Sequence, residues 1–463
     1  MSSRQMRMEQ TTAPRWLALT VAAFGLLLSG CPDEGVECGE GLTECSGECV
    51  DLTSSTTDCG ACGVACGPEQ VCSQGSCQRC GEGLCNNDIV AACFNTGQVV
   101  GIQSGSDLKG PNRPLGERPQ SVAAMQDVLL VLDAANKLRQ ARLSDYAPLP
   151  GVPALDTGVA PNQLLVEDPY VYVLNSTSNT LLVFQRKTEP GPLTDGTRFP
   201  QGLGLTPVAS VDFGANTNPF AMARIGSELW VTLYGNLGGD VSAGGKVARV
   251  SLANPAQPQL DTSYLQLPGG AALQPFQGSS PIPSPSGIVA HKGRLYVALN
   301  NLDPNTYGPG GPGLVARITP ETREVTYLPL GNDCLNPGWL APVANKLLVS
   351  CAGKATYDAS FNLVAVEKTS MVLLDEQDAV VSTQLIACPP TGGTCALPSA
   401  GRFAVVGSRA YVGDNNAGRI FVYDVSGSQL VEVRGLGPSK PAPIPACQRE
   451  AGFSLVSDVV AIP

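Results

Sequence analysis

The sequence predicts an all-β protein, a seven-bladed β-propeller that follows a small disulfide-rich module. Three observations lead to this prediction. Glycine (52) and proline (38) are frequent among the 463 residues, while charged residues make up only 15%, which favours short strands joined by turns over helices. A pattern of short strands recurs from residue 88 onwards, and 11 of the 17 cysteines are crowded into residues 38–93.

The first 30 residues have the organisation of an export signal. Three arginines precede an apolar run over residues 16–28, which is shorter than the roughly 20 residues that a membrane-spanning helix needs. The sequence Leu28-Ser29-Gly30-Cys31 resembles the lipobox of bacterial lipoproteins. The resemblance implies that residues 1–30 are removed and that Cys31 carries acyl chains that anchor the protein to a membrane. A plain secretory signal with an incidental cysteine is the alternative.

The mature chain is acidic, with 26 Lys and Arg against 39 Asp and Glu, a formal net charge of about −13. This charge disfavours binding to nucleic acid or to anionic lipid headgroups. We therefore expect the protein to bind the membrane only through its lipid anchor and to reside in the cell envelope. Asp33 and Glu34, which follow Pro32, favour the outer membrane. The periplasmic side and the cell-surface side of that membrane are both open alternatives.

Residues 31–87 form the predicted cysteine-rich module. The segments GLTECSGECVDL, DCGACGVAC and VCSQGSC, within residues 38–77, resemble the cysteine-rich repeat of plant stigma-specific secreted proteins, which also occurs in exported proteins of myxobacteria. The resemblance implies a small module held by disulfides and no catalytic chemistry. The pairs Cys59-x-x-Cys62 and Cys77-x-x-Cys80 have the alternative interpretation of a four-thiolate zinc site.

One strand pattern recurs through residues 88–463. Each copy opens with proline or a small residue, passes a polar turn, continues with an apolar-aromatic-apolar strand, and closes with Val or Ile at alternate positions. Such repeats are typical of a β-propeller, in which neighbouring blades bury each other's faces around an axis. Six copies are visible, in residues 118–137, 160–185, 218–252, 284–320, 336–353 and 398–425.

The two ends of this region together predict a seventh blade. Residues 88–103 supply a second and a third strand, and residues 457–463 supply a first strand that parallels residues 120–125. Joining them closes the ring and removes exposed sheet edges. A six-bladed ring is the alternative. Over residues 88–463 the series resembles the YncE-like seven-bladed propellers and, more widely, the NHL and lactonase-like propellers.

The repeat pattern also predicts disulfides. If Cys31 is lipidated, 16 cysteines remain, and the odd number within residues 38–93 requires a bond to the rest of the chain. In two blades one cysteine precedes the first strand and another ends the second strand, so the antiparallel pair brings both within bonding reach. Two further cysteines flank the turn at residues 389–394. The predicted pairs are Cys334 with Cys351, Cys93 with Cys447, and Cys388 with Cys395.

Long loops suggest a binding face. In three consecutive blades the loop after the second strand is long, in residues 234–245, 300–313 and 352–362, and residues 413–418 adjoin them. Their carboxylates, amides and tyrosines suit a sugar, a peptide or a calcium ion, although solvated loop surface is the alternative. The candidate residues are Asp240, Asn301, Asp303, Asn305, Tyr307, Tyr357, Asp358, Asp414, Asn415 and Asn416.

Catalytic motifs are scarce. The sole histidine, His291, falls in a turn between a first and a second strand, on the face opposite the long loops, which disfavours a Ser-His-Asp or Cys-His site. Lactonase-like propellers hold a divalent metal with Glu, Asn and Asp near the axis, but no residues here can be assigned that role. We therefore expect a binding or scaffolding module for a protein or glycan, without a cofactor; a bound calcium ion is the alternative. A metal-dependent lactonase-like hydrolase that uses the channel mouth is the alternative.

Replacing the lipid-bearing cysteine tests the export signal. We expect Cys31→Ala to abolish incorporation of labelled palmitate and to move the protein from the detergent phase to the aqueous phase on Triton X-114 partitioning, because the acyl chains supply the membrane affinity. Detergent-phase partitioning that persists in Cys31→Ala would contradict the lipobox.

Overall fold

The computed structural model describes most of the propeller and parts of the cysteine-rich region. The described residues are 38, 42–45, 48–50, 52, 55, 58–66, 70–73, 75–79 and 87–462, the last range without 192–197, 236–243, 268–281, 304–305, 307, 390–394, 438 and 448–454. Cys31 and the export signal lie outside these ranges. All regular elements within them are β-strands, and no helix there is long and apolar enough to cross a membrane.

The cysteine-rich region contains two small hairpins. They consist of β1 (Thr43–Cys45) paired with β2 (Glu48–Val50), and β3 (Gln70–Ser73) paired with β4 (Ser76–Arg79). Disulfides join Cys38 to Cys49, Cys45 to Cys62 and Cys66 to Cys77, and Cys59 is also disulfide-bonded. The zinc alternative is therefore wrong, because Cys59, Cys62 and Cys77 are bonded to other cysteines and cannot serve as thiolate ligands.

The propeller begins with an incomplete sheet and continues with four complete blades. The opening strands are β5 (Ile89–Cys93), β6 (Gln98–Gln103), β7 (Leu108–Lys109) and β8 (Arg113–Pro114). Blade 1 contains β9 (Pro119–Met125), β10 (Val128–Asp133), β11 (Lys137–Arg142) and β12 (Leu155–Asp156). Blade 2 contains β13 (Pro161–Glu167), β14 (Tyr170–Asn175), β15 (Thr180–Gln185) and β16 (Thr206–Asp212). Blade 3 contains β17 (Pro219–Ile225), β18 (Glu228–Leu233), β19 (Lys246–Ser251) and β20 (Gln259–Gln266). Blade 4 contains β21 (Pro285–His291), β22 (Arg294–Leu299), β23 (Leu314–Ile318) and β24 (Val325–Pro329).

Two further blades and a closing strand complete the ring. Blade 5 contains β25 (Pro337–Val343), β26 (Lys346–Cys351), β29 (Ser370–Leu374) and β30 (Val380–Leu385), with the separate hairpin β27 (Lys354–Tyr357) and β28 (Leu363–Glu367) between its second and third strands. Blade 6 contains β31 (Ala400–Val406), β32 (Arg409–Asp414), β33 (Ile420–Asp424) and β34 (Val431–Arg434). The last strand is β35 (Val456–Ala461).

The last strand closes the ring, as the sequence predicted. β35 pairs antiparallel with β5 and becomes the first strand of blade 7, whose order is β35-β5-β6-β7, with β8 paired to β6. The first strands of neighbouring blades contact one another all the way round, including β35 against β9 of blade 1. The seven-bladed prediction is therefore confirmed, and the six-bladed alternative is wrong.

The core lies between adjacent blades. Second strands are almost wholly buried; all six residues of β10 are inaccessible to solvent, whereas every residue of the outermost strand β20 is exposed or partly buried. Residues from facing sheets interlock, as where Leu130 of blade 1 packs in one cluster with Val171 and Phe184 of blade 2. Because each sheet needs both neighbours to bury its faces, the blades stabilise one another around the ring.

First strands share a distinctive start. Five of them begin with proline, and the residue before it has a positive φ: Arg118, Ala160, Asn218, Ser284 and Asn336. Each first strand then carries a bulge near its second residue, as between Pro161 and Gln163. A bulge increases local twist and re-aims the following side chain, so this repeated device shapes the lining of the axis.

Three disulfides lie within the propeller. The structure joins Cys93 to Cys447, with Cα atoms 5.2 Å apart, across the seam of blade 7. It also joins Cys334 to Cys351 in blade 5, at 5.3 Å, and Cys388 to Cys395 across a short loop, at 5.9 Å.

Removing the seam disulfide tests its contribution. The Cys93–Cys447 bond spans 354 residues, whereas Cys388–Cys395 spans seven. Because the entropy removed from the unfolded chain grows with loop length, we expect Cys93→Ala with Cys447→Ala to cost about 6 kcal/mol and Cys388→Ala with Cys395→Ala about 2 kcal/mol. Equilibrium unfolding in urea measures both. Equal losses, or a larger loss from the short loop, would contradict this ranking.

Candidate functional site on the upper face and in the axial channel

We call the side that carries the second-to-third-strand loops and the loops between blades the upper face. Among the residues that the structure describes, this face carries the β27–β28 hairpin, where the sequence predicted a long loop over residues 352–362. The reason is visible in KATY and LVAVE, two segments able to pair across a short turn. Tyr357 is 59% exposed and Phe361 is 87% exposed, with Val364 also exposed. The hairpin thus presents apolar side chains to solvent.

Asp358 shapes the tip of this hairpin. Its Oδ1 accepts hydrogen bonds from the backbone N–H groups of Ser360 (2.8 Å) and Asn362 (2.9 Å), and its Oδ2 accepts from the Asn362 side chain (3.0 Å). The Asn362 side chain, followed by these backbone bonds, lowers the pKa of Asp358. Asp358 therefore orders the turn that holds Phe361 outward.

Other members of the predicted face have internal roles. Asn301 is buried, and its side chain donates to the carbonyl of Pro312 at 3.3 Å. Asp303 accepts from the backbone of Thr306 at 3.0 Å and so caps its own loop.

Asn415 packs over Gly401, where an added Cβ would meet the asparagine Oδ1 at 2.3 Å. Asn416 donates its N–H to Asp414. Asp240, Asn305 and Tyr307 lie outside the described residues.

Asp414 belongs to a repeated structural position, the last residue of each second strand. The equivalents, from blade 7 through blade 6, are Cys93, Asp133, Asn175, Leu233, Leu299, Cys351 and Asp414. Three of them accept a backbone N–H from the loop that enters their own blade: Glu117 to Asp133 at 3.2 Å, Gly158 to Asn175 at 3.0 Å, and Ser399 to Asp414 at 3.0 Å. In blades 5 and 7 a disulfide makes the same connection. In these five blades the last residue of the second strand is therefore bonded to the loop through which the chain enters that blade on the upper face.

Asp414 is completely buried and pairs with Arg419 at 2.8 Å. Burial raises its pKa despite the opposing effects of Arg419 and of the N–H groups that it accepts from. Its carboxylate is therefore engaged within the fold and is not a free ligand on the surface.

His291 ends β21 on the opposite side from the hairpin, partly buried beside Tyr296, with ring centroids 6.0 Å apart. Burial lowers its pKa, because a desolvated site disfavours the imidazolium ion. Among the groups that face it, Lys292 lowers this pKa further and Asp378 raises it. Its position gives it no contact with the upper face.

The axial channel carries a set of residues that the sequence did not point to. The third residue of each first strand occupies one register around the axis: Ser121, Gln163, Ala221, Gly287, Trp339, Arg402 and Asp458. Polar and aromatic groups are concentrated in five blades, and small residues occupy blades 3 and 4. At Gly287 an added Cβ would lie 2.6 Å from the carbonyl oxygen of Gly338, so that blade must carry glycine there.

Arg402 spans this channel. It pairs with Asp458 of blade 7 at 3.3 Å and donates to the backbone oxygen of Asn162 in blade 2 at 2.7 Å. Its guanidinium also lies 4.6 Å from the ring centroid of Trp339 in blade 5, a cation–π distance. The Asp458 carboxylate accepts the N–H of Val122 at 3.0 Å. One side chain thus connects four first strands, counting its own, and its contacts fix its position.

A cavity of about 200 Å³ lies beside this arginine, lined by first-strand residues of blades 1, 2, 5, 6 and 7. Its polar wall contains Ser121, Gln163, Arg402 and Asp458, and Trp339 adds an aromatic surface. In the sequence the signal for this cavity is one charged residue in each of two strands of apolar and small residues, Arg402 in AGRFAVV and Asp458 in VSDVVA.

The described residues offer little to a divalent metal. In these ranges the one group of three potential His, Cys, Asp or Glu ligands within reach of one another is Cys59, Cys66 and Cys77, all disulfide-bonded. In the channel, Asp458 is already bound to Arg402 and to the Val122 N–H. The donor set therefore does not resemble a hard-cation site built from several carboxylates.

Comparison with known proteins places the fold. No protein-family model and no curated protein matches the sequence. A putative 6-phosphogluconolactonase from Bacteroides uniformis superposes with a TM-score of 0.50 at 10% identity, covering 77% of this chain and 97% of that one. One from Bacteroides fragilis gives 0.48 at 11% identity (79% and 98% covered), and BamB from Moraxella catarrhalis gives 0.41 at 12% identity (75% and 84% covered). Such low identities show likeness of fold alone.

Substitutions at Asp414 test its structural role. Asp414→Asn keeps an oxygen for the Ser399 N–H, as Asn175 does in blade 2, but it breaks the ion pair with Arg419, so we expect a loss of about 2 kcal/mol. Asp414→Ala leaves the Ser399 N–H and Arg419 without their partner, and we expect about 3 kcal/mol. Urea unfolding at neutral pH compares them, and equal losses would contradict the hydrogen-bonding role.

Proposed function

We propose that this chain is a lipid-anchored protein of the cell envelope whose propeller serves as a binding module, and that its upper face binds a protein partner. The fold supports a scaffold of this kind, because a propeller holds surface loops on a rigid ring. The anchor comes from the resemblance of residues 28–31 to a lipobox and the location from the export signal. The outer membrane remains the preferred location on the acidic residues after Cys31.

The exposed hairpin is the observation that carries the proposal. Tyr357, Phe361 and Val364 add nothing to the propeller core, and exposed clusters of large apolar side chains mark interaction sites. The mixture of tyrosine, phenylalanine and valine favours a protein over a glycan, since a glycan needs more polar groups than this tip offers. Asp358 at the tip and the acidic mature chain disfavour an anionic membrane surface as the occupant.

The alternative function is a metal-dependent hydrolase of the lactonase type that uses the channel mouth. Two of the similar structures are described as putative 6-phosphogluconolactonases, which motivates the comparison. The channel register, however, contains one carboxylate, Asp458, and Arg402 neutralises it. That geometry supports binding better than metal-assisted hydrolysis.

Photocrosslinking in intact cells tests the partner surface. We expect a benzoyl-phenylalanine at position 361 of the full lipoprotein to yield one dominant adduct, and Tyr357→Ser to reduce that adduct at least about tenfold. The matched control places the crosslinker at Val431, exposed on the outer strand of blade 6, where we expect no such adduct. Equal adducts at both positions, or none at position 361, would contradict the proposal.

The stability of a hairpin variant provides the companion measurement. Phe361→Ser should change the free energy of unfolding by less than about 0.5 kcal/mol, because the side chain is exposed. It should nevertheless weaken partner binding by about tenfold or more, as loss of an apolar anchor does. Urea unfolding and a pull-down with the crosslinked partner measure the two effects. A large loss of stability would mean that Phe361 serves the fold.

A further inference from the structure

We propose that the axial channel binds a small, uncharged, polyhydroxylated molecule of monosaccharide size, held between Gln163, Trp339, Arg402 and Asp458. This site is separate from the hairpin surface, and neither proposal depends on the other.

The dimensions of the cavity limit the ligand. At about 200 Å³ it is smaller than the pockets of roughly 300–1,000 Å³ that hold drug-sized molecules, and larger than a 150 Å³ cavity that accepts benzene. A six-membered ring with its substituents fits this range. A peptide, a nucleotide or an oligosaccharide inserted along its length does not.

The polar side chains of the cavity offer both hydrogen-bond donors and hydrogen-bond acceptors. The Gln163 Oε1 accepts the N–H of Met222 at 2.6 Å, which fixes the amide and directs its Nε2 to serve as a donor. Ser121 Oγ accepts the N–H of Leu164 at 3.3 Å and keeps its own hydrogen to donate. Arg402, Val122 and Val459 occupy three of the roughly four acceptor sites of the Asp458 carboxylate, which leaves it room for one more donor. Arg402 has further N–H donors besides those that face Asp458 and Asn162. Hydroxyl groups both donate and accept, so a polyol can satisfy such a mixed wall.

The charges of the cavity favour a neutral ligand. Arg402 and Asp458 pair at 3.3 Å, and their side chains are largely buried. A ligand with a net charge would compete with one member of this pair and leave the other without its partner, which is costly in a buried site. An uncharged ligand can hydrogen-bond to both groups while the pair stays intact.

An aromatic ring adds to the polar wall. Trp339 lines the cavity with its ring in cation–π contact with Arg402, whereas the lining residues Val122, Leu164, Phe403 and Val459 pack into the clusters between blades. A sugar ring has an apolar C–H face as well as polar edges. The combination of an aromatic ring with hydrogen-bond donors and acceptors therefore matches a sugar ring better than a linear polyol.

Titration calorimetry tests the site on the full chain, purified in a detergent without a sugar headgroup. The probes are D-glucose, D-galactose, D-mannose and N-acetyl-D-glucosamine, with L-glutamate and citrate as charged comparisons. We expect saturable binding of at least one of the sugars and none of the charged probes. Binding of none of the sugars, or preferred binding of a charged probe, would overturn the proposal.

Three variants locate the binding. Gln163→Glu keeps the oxygen that Met222 needs and replaces the donor by a carboxylate oxygen, and Ala461→Phe adds bulk at an exposed residue of the cavity lining. Each should weaken sugar binding at least about tenfold. The control is Gln140→Glu, a buried glutamine outside the cavity whose Oε1 likewise accepts a backbone N–H, from Leu203 at 2.8 Å.

The variants also separate loss of binding from loss of folding. All three should retain the circular dichroism spectrum of the parent, and Gln140→Glu should bind the sugar as the parent does. Sugar binding unaffected by both Gln163→Glu and Ala461→Phe would overturn the assignment to this cavity. Neither result bears on the photocrosslinks from position 361, so the two proposals can fail independently.

Discussion

The pairing of β35 with β5 is the interaction on which the rest of the structure depends. It converts six complete blades and a fragment into a closed ring, so that every sheet has a neighbour on both faces. The closing strand is bonded to blade 1: Ser457 donates its hydroxyl hydrogen to the backbone oxygen of Pro119 at 2.6 Å, with the Ala92 oxygen of blade 7 also nearby at 3.2 Å, and Asp458 accepts the N–H of Val122. The same strand supplies the carboxylate that holds Arg402 across the channel. Closure and the candidate ligand cavity therefore depend on the same residues.

Contacts between blades then make the ring rigid. On the side opposite the hairpin, Tyr411 of blade 6 donates to Asp107 in a turn of blade 7 at 2.8 Å, and Arg409 and Arg434 pair with the same carboxylate. Burial raises the pKa of Tyr411 to about 12, with Asp107 contributing, so its hydroxyl remains a donor at physiological pH. A comparable tyrosine–aspartate–arginine contact joins blades 4 and 5. Fixed blades give the hairpin and the channel a constant geometry.

The sequence predicted the repeat, the blade number and the closure because strand periodicity and turn residues are local signals. The positions of Cys93 and Cys447 relative to those strands were local signals too. Burial of Asp414 and Asn301 was not predictable in this way: a polar residue after a strand looks like loop surface until the loop entering its own blade is placed over it. Arg402 was missed for a related reason. An alternating strand shows which residues share a face, but it does not distinguish a face turned to solvent from one turned to a narrow axis.

The hairpin illustrates the opposite error. The sequence marks residues 352–362 only as a long loop between two strands of a blade, whereas the structure pairs residues 354–357 with residues 363–367 as a hairpin. The apolar run LVAVE gives no alternation that would indicate which residues face a partner strand. Tyr357 is exposed, and its neighbour Phe361, which no motif marks, is the more exposed of the two.

Hydrogen–deuterium exchange of the closing strand tests the central claim most directly. If β35 is the inner strand of blade 7, the amides of residues 456–461 should exchange as slowly as those of β5 and far more slowly than those of the β27–β28 hairpin, since opening them requires breaking the ring. Exchange of residues 456–461 as fast as that of the hairpin would show that the C-terminal strand does not close the propeller and would contradict the account.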